Sequence, residues 1–131
     1  MLQASVQQIL NSLPAKRIAG SLNKLFARVL PTNDNTAITA YASGGQTNAI
    51  KLNANCQYHE VTTVATAADS VRLPPALVGE KHFVKNSGAN SMQVYGANTD
   101  TIDSVVTATG VAQPAGVGVN YVCLVNGNYI R

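Results

Sequence analysis

The sequence contains few charged side chains and no tryptophan. Charged residues make up 11% of the 131 positions, whereas they make up roughly a quarter of an ordinary soluble domain. Because net charge and interspersed charges keep protein surfaces apart, this scarcity indicates a protein whose normal state is assembled. The chain is long enough for one compact core, and we expect one domain with an appendage.

Metal-binding and nucleophile motifs are also missing. Cys56 and Cys123 form no CxxC pair, His59 and His82 form no HExxH motif, and Gly-x-Ser-x-Gly does not occur. We therefore expect no enzymatic activity, no metal and no cofactor. The cysteines are interpreted as small buried hydrophobic residues rather than a disulfide. His59 is expected at a strand start and His82 near a strand edge.

Asp100 and Asp103 are the carboxylates that come closest to a catalytic pair. They lie in the string Thr-Asp-Thr-Ile-Asp. Glycosidases do use two carboxylates, but their sugar sites are built on aromatic platforms, and this sequence has no Trp. Aspartate often forms turns by bonding its own backbone two residues on, and this is the role that we expect for both.

Targeting segments are not recognisable in the sequence. The N-terminus lacks the early positive charge and the uninterrupted apolar run of a secretory signal. No stretch approaches the roughly 18 consecutive apolar residues of a membrane-spanning helix. We expect a protein that is made in the cytoplasm.

The positive charge is concentrated near the N-terminus. Residues 1–30 carry four basic residues and no acidic one, whereas residues 31–131 carry five basic and six acidic residues. The four basic residues are Lys16, Arg17, Lys24 and Arg28. A basic segment can bind nucleic acid, anionic lipid or an acidic protein surface, and charge alone does not choose among them.

Apolar residues in the same segment recur at helical spacing. The first set lies within residues 2–13 and ends at Pro14, which disfavours helical geometry at the residue before it. The second set consists of Ile18, Leu22, Leu25, Phe26 and Val29. The spacing predicts a basic arm of two short amphipathic helices over residues 1–30. Its apolar stripes favour docking on protein over nucleic acid or a membrane.

From residue 31 onward the sequence changes to short runs of Thr, Val, Ala, Gly and Asn, with turn residues about every 8 to 12 positions. This composition and turn spacing predict a mainly β body with the fold of a small antiparallel β-sandwich or barrel. The predicted strands are 37–42, 48–53, 60–66, 70–73, 82–85, 91–95, 105–108 and 117–125. Asn126-Gly127 predicts a hairpin with a type I′ turn, which folds Tyr129 and Ile130 back onto the last long strand.

Several short strings of the body resemble a module of tailed-bacteriophage virion proteins. The strings are VTTVATAADSVRLPPA (61–76), NSGAN (86–90), VYG (94–96), DTI (100–102), QPAG (113–116) and YVC (121–123). The similarity covers residues 62–131 and not the arm. Similar segments occur in head decoration or cement proteins, head fibres and tail-associated proteins. Where those modules often end in Gly-x-Trp, this chain has Gly127-Asn128-Tyr129.

The resemblance implies a structural virion protein more strongly than a position on the particle. Because the arm suits wide contact with neighbouring subunits, we expect a protein that binds the capsid lattice and stabilises the head. Its expected partners are the major capsid protein and other virion proteins, and its expected location is the capsid surface. A closed homo-oligomer, with a trimer favoured, suits such a lattice. The arm residues expected to contact the capsid are Lys16, Arg17, Ile18, Leu22, Lys24, Leu25, Phe26, Arg28 and Val29.

Two alternatives stay open at this point. The first is a head-fibre or tail-fibre adaptor, which contacts a host-binding protein. The second is a host-glycan binding module, which needs exposed aromatic side chains. The tyrosines available for that role are Tyr41, Tyr58, Tyr95, Tyr121 and Tyr129.

Overall fold

The computed structural model describes residues 35–131, and the predicted arm with all its candidate capsid contacts lies outside these residues. The described part is mainly β, as predicted, with ten strands. They are β1 (Asn35–Thr39), β2 (Ile50–Lys51), β3 (Tyr58–Thr63), β4 (Ser70–Arg72), β5 (Lys81–Asn86), β6 (Met92–Tyr95), β7 (Thr101–Ile102), β8 (Val111–Gln113), β9 (Gly118–Val125) and β10 (Asn128–Ile130).

From β1 to β9, successive strands alternate between two sheets. The odd-numbered β1, β3 and β5 are parallel neighbours in a six-stranded sheet of order β1-β3-β5-β9-β10-β7. The even-numbered β2, β4 and β6 are parallel neighbours in a four-stranded sheet of order β2-β4-β6-β8. Ile38 pairs with Val61 and Ser70 with Gln93, in both cases 23 positions further along the chain. The first six strands therefore form three coils of a β-solenoid-like arrangement.

The last strands close one end of this stack of coils. Strand β9 lies antiparallel to β5, and β8 lies antiparallel to β6, so each sheet gains one reversed strand beyond the third coil. Strand β10 folds back on β9, and β7 lies parallel to β10 at the sheet edge. Every antiparallel pairing between named strands thus involves β8 or β9, and one isolated antiparallel bridge joins Tyr41 to Ser70.

The predicted antiparallel β-sandwich or barrel is wrong. Five of the eight strand pairings in the described chain are parallel and three are antiparallel. The bends between β1 and β6 are corners at which the chain passes to the other sheet, and not the hairpins of an antiparallel sheet. Gly, Pro and Asn mark both kinds of bend, because both need the same local backbone freedom.

The strand predicted over residues 105–108 is also wrong, because the chain turns there. Ser104 and Ala108 have φ angles of 58° and 67°, which lie in the left-handed region and interrupt a strand. The short strands β7 and β8 on either side of this turn were not predicted.

The predicted C-terminal hairpin is confirmed, since Tyr129 pairs with Cys123 and Ile130 with Val122. The predicted type I′ turn is wrong. A type I′ turn needs a positive φ at both central residues, and in this turn only Gly127, at φ 84°, has one.

The core lies between the two sheets. On the four-stranded sheet Val71 pairs with Val94 and Val94 with Val111, so one row of valines crosses three strands. All three are buried, as are Tyr121 and Tyr129 from the closing strands. Cys56 and Cys123 are buried too, as predicted. Short β-branched side chains suit such rows because they pack well on a pleated surface.

A polar network is embedded in this core. The side-chain amide of Gln113 donates to Val84 O and Val117 O at 2.8 and 2.9 Å, and its oxygen accepts from the Tyr121 hydroxyl at 2.9 Å. Burial raises the pKa of Tyr121, so its hydroxyl keeps the proton that it donates. Asn86 is fully buried and donates to Gln113 O at 3.0 Å. These bonds tie β5, β8 and β9 together at the closed end.

Candidate docking surface

Four aliphatic side chains are exposed at one corner of the body. Leu77 and Val78 belong to the connection between β4 and β5, and Leu124 and Val125 belong to the end of β9; their exposed fractions range from 47% to 66%. We call these four residues the aliphatic corner. Several exposed apolar side chains in one part of a protein surface commonly mark an interaction site.

Backbone hydrogen bonds bring the two segments of the aliphatic corner together. Gly79 N donates to Cys123 O and Gly127 N donates to Ala76 O, each at 2.9 Å. The amide of Val78 donates to Asn126 Oδ1 at 2.9 Å. These bonds hold residues 76–79 against the β9–β10 hairpin, so the aliphatic corner rests on a hydrogen-bonded base.

The segment that carries Leu77 and Val78 is also held by side chains of the body. The buried Tyr129 hydroxyl lies 3.2 Å from Pro74 O, and Asp100 Oδ2 accepts a hydrogen bond from Ala76 N at 2.7 Å. Prolines 74 and 75 fix φ on the approach to the corner and lack an amide hydrogen that would need a partner. A surface held in this way loses little conformational freedom when it binds a partner.

A second surface lies on the outer face of the six-stranded sheet. Tyr58 and Phe83 pair in register, with ring centroids 6.1 Å apart and an interplanar angle of 54°. Together with Thr36, Glu60 and Lys85 they line an open cleft of about 460 Å³. The cleft also has fixed polar groups, because Glu60 Oε1 accepts a hydrogen bond from Ser87 Oγ at 2.8 Å.

Only some tyrosines could serve a glycan site. Tyr95, Tyr121 and Tyr129 are buried, whereas Tyr41 and Tyr58 are exposed. Of the exposed pair, Tyr58 is the one that lies beside a second aromatic ring, and its exposed fraction is 53%.

The two histidines form a buried pair. His59 is the second residue of β3, at the strand start as predicted, and His82 is the second residue of β5. Strand β5 lies between β3 and β9, so His82 does not lie on an edge strand. Burial, and then the neighbouring His82, lower the pKa of His59 from 6.5 to about 4. Within residues 35–131 no three His, Cys, Asp or Glu side chains are grouped so as to hold a metal.

Asp100 and Asp103 bind distant segments rather than only their own turns. Asp100 holds the Ala76 amide, as described above. Asp103 accepts hydrogen bonds from the backbone and the guanidinium of Arg131, at 3.1 and 2.6 Å. The predicted Asx turns are wrong, because the side-chain hydrogen bonds of these two residues go to Ala76 and Arg131, which are far away in sequence.

The predicted capsid contacts of the arm lie outside the described residues, and the aliphatic corner was not among the predicted sites. Its sequence signal is two pairs of adjacent aliphatic residues, Leu77-Val78 and Leu124-Val125. Adjacent residues of a strand point to opposite faces. Leu77 and Val78 lie in a connection and not in a strand, and Leu124 and Val125 lie at the end of β9, so alternation buries neither member of either pair.

Comparison with family models, with curated proteins and with solved structures found no match to this chain. In residues 35–131 no helix is long and apolar enough to cross a membrane.

Proposed function

We propose that this chain is a structural protein of a tailed-phage particle, with no catalytic role, which binds the capsid lattice and stabilises the head. The observation that carries the proposal is the aliphatic corner on its hydrogen-bonded base, in a chain with only 11% charged residues. The choice of a phage particle rests on the resemblance of short sequence strings within residues 61–123 to phage virion modules. The major capsid protein and other virion proteins are the proposed partners, and the capsid surface is the proposed location.

The proposal assigns the larger share of binding to apolar contacts. Burying an aliphatic side chain contributes roughly 1.5 to 3 kcal/mol, whereas an exposed ion pair contributes about 0 to 1 kcal/mol. The aliphatic corner would supply the contact of the body, and Leu22, Leu25, Phe26 and Val29 that of the arm. The basic residues of the arm would mainly steer association toward acidic patches of the partner.

A closed homo-oligomer, with a trimer favoured, is part of the proposal. Its support is the low charge of the surface, which protects a monomer poorly against association, and the symmetry that a capsid lattice offers. Light scattering of the purified protein measures this directly. A monomer at every concentration would remove the oligomer from the proposal and leave a clamp that assembles only on the capsid.

The decisive experiment measures attachment of added protein to particles stripped of it, followed by a heat challenge of the heads. Replacing Leu124 and Val125 by Ser should weaken attachment at least about tenfold, since roughly 1.5 to 3 kcal/mol is lost for each buried side chain. The matched control is Val106→Ser, because Val106 is 77% exposed but lies in the turn between β7 and β8. Equal attachment of the double variant and the control would overturn the role of the corner.

The arm is tested in the same assay. Replacing Leu25 and Phe26 by Ser should weaken attachment far more than replacing Lys24 and Arg28 by Gln, which should mainly slow association. Loss of binding in the Lys24/Arg28 variant alone would make the arm an electrostatic tether for nucleic acid or lipid, and the capsid model would fall. Microscopy of labelled particles locates the protein, and a label on the neck or tail would favour a fibre adaptor.

Glycan binding is the second candidate function, and the Tyr58–Phe83 cleft is the observation that favours it. An exposed aromatic ring beside Glu60 and Lys85 combines an apolar face for a sugar ring with groups that bond its hydroxyls. The test is binding to host-cell surface polysaccharide by the wild-type chain and by Tyr58→Ser, with Tyr41→Ser as control. Saturable binding that is lost only in Tyr58→Ser would support this function.

A further inference from the structure

Two basic side chains stand next to each other on the four-stranded sheet. Lys51 of β2 pairs in register with Arg72 of β4, and neighbouring strands lie about 4.8 Å apart. Both residues line one cleft of about 220 Å³. Like charges directly opposite each other destabilise a sheet, so the arrangement works against the stability of this sheet.

The other in-register pair of charged residues in the described strands consists of opposite charges. Glu60 of β3 faces Lys85 of β5, so a negative charge lies beside a positive one. No acidic residue lines the cleft around Lys51 and Arg72. Within residues 35–131 the ion pairs are Arg131 with Asp103 and His82 with Glu80, and neither involves the two cations of the cleft. The repulsion between Lys51 and Arg72 is therefore not offset by a described carboxylate.

The guanidinium of Arg72 is positioned by a short chain of hydrogen bonds. Arg72 Nη1 lies 3.4 Å from Gln46 O, a long contact that leaves the other donors of the group available. The side chain of Gln46 is held in turn, because Nε2 donates to Gly96 O at 2.8 Å and to Asn98 O at 2.7 Å. Asn98 also lines the cleft. Arginine offers a rigid fork of donors that matches the two oxygens of a carboxylate or phosphate.

We propose that this cleft binds one oxyanion group, a carboxylate or a phosphate, between Lys51 and Arg72. The anion removes the repulsion between the two cations and uses the free donors of the Arg72 fork. The walls formed by Ala54, Pro74 and Pro75 offer apolar contact to whatever carries the group. The site is separate from the aliphatic corner, and the proposal stands whether or not the chain binds a capsid.

The experiment follows backbone amide NMR signals of the full chain during titration with inorganic phosphate and, separately, with acetate, at constant ionic strength. Saturable shifts are expected at Leu52, Arg72 and Asn98. A residue-resolved signal is needed because the basic residues 16–28 can attract anions as well. Tighter binding of phosphate assigns the site to a phosphate-bearing ligand, and tighter binding of acetate assigns it to a carboxylate.

Three variants separate a site from general screening. Lys51→Gln and Arg72→Gln should each weaken binding about tenfold, since each removes one charge-assisted contact. Arg72→Lys should retain part of the affinity, because the charge remains but the fork is lost. Lys81→Gln is the matched control, an exposed lysine on the other sheet with the same loss of charge. Shifts that do not saturate, or equal weakening by Lys81→Gln, would overturn the proposal.

A stability measurement gives an independent readout that does not require a bound ligand. At low salt and without phosphate or acetate, Lys51→Gln should raise the Tm, because it removes a like-charge neighbour from Arg72. Phosphate should raise the Tm of the wild-type chain more than that of the variant, since a ligand of the folded state stabilises it. A lower Tm for Lys51→Gln in the absence of anion would contradict the repulsion from which the argument starts.

Discussion

His59 Nε2 lies 3.2 Å from His82 Nδ1, and both rings are buried between the sheets. At this distance one nitrogen donates a hydrogen and the other accepts it, so at least one of the two rings is neutral. The groups that face the pair are Asn35, the Cys56 carbonyl, the Glu80 carboxylate and the Tyr129 ring. The pair therefore links the first, second and third coils to the closing strands.

The first prediction is a loss of stability in mild acid. The pKa of His59 is about 4 in the folded chain and 6.5 ordinarily. Between pH 6.5 and pH 4 the unfolded chain binds a proton at His59 that the folded chain does not bind. The contribution of neutral His59 to the free energy of unfolding is therefore fully present above pH 6.5 and is lost as the pH falls toward 4. The difference between the two pKa values of His59 corresponds to about 3 kcal/mol of unfolding free energy. Urea unfolding at a series of pH values measures the loss.

The control for this prediction is His59→Gln, whose stability should depend less on pH over the same window. Asp69 affects stability at a lower pH than His59 does. Hydrogen bonds from the Thr66 hydroxyl and amide lower the pKa of Asp69 below its ordinary 3.8, so its contribution is lost only in stronger acid. A wild-type chain with the same unfolding free energy near neutrality and near pH 4 would contradict the role of the histidine pair.

The second prediction concerns the polar network in the core. Asn86 donates to Asn90 O and Gln113 O and accepts from Gly88 N, at 2.9 to 3.0 Å. Replacing Asn86 by Ala leaves these buried groups without partners and should cost about 2 to 4 kcal/mol of unfolding free energy. Asn120→Ala, on the exposed face of β9, is the control and should change stability by less than about 0.5 kcal/mol. Similar losses in both would refute the assignment.

The third prediction concerns the glycines that follow β5 and β6. A Cβ at Gly88 would lie 2.6 Å from Val64 N, and one at Gly96 would meet Asp100 O. Because backbone atoms block both positions, Gly88→Ala and Gly96→Ala should each cost roughly 1 to 3 kcal/mol or more.

Gly45→Ala is the control for the glycine variants. Nothing lies within 4 Å of its added Cβ, so only the strain of φ +78° remains, about 1 to 2 kcal/mol. Thermal unfolding of the three variants gives the ranking. A Gly45 variant less stable than the other two would show that backbone angle, and not close packing, decides these sites.

The fourth prediction is that the body folds without the arm. The hydrophobic cluster of the described residues runs from Ile38 to Tyr129, so deletion of residues 1–30 removes none of its members. The truncated chain should retain β-type circular dichroism and a cooperative thermal transition. An unfolded product would mean that the arm completes the core.

The sequence predicts some features of this body and not others, for physical reasons. The alternation that buries Val84 and exposes Lys81 is local, and so is the turn that returns Tyr129 to the sheet, and both were predictable. Parallel pairing was not, because a strand buries alternate residues in the same way whichever direction its neighbour runs. The register that places Lys51 beside Arg72 joins residues 21 positions apart, and no local pattern specifies it.

The aliphatic corner was unpredictable for a related reason. Leu124 and Val125 have the composition of core residues, but no strand within residues 35–131 covers them. The turn around Ser104 and Ala108 shows the opposite case. Its Val and Thr residues favour a strand, but the hydrogen bonds of Asp103 to Arg131 hold the chain in another conformation.

The closing strands supply the antiparallel neighbour of β5. Until residues 118–130 have been synthesised, β5 lacks the neighbour that pairs with its free side and Tyr121 and Tyr129 are missing from the core. A nascent chain of three coils thus presents an unpaired β5 edge, the kind of surface on which chains aggregate. A chain truncated before residue 118 should therefore be insoluble, because it lacks the whole of β9.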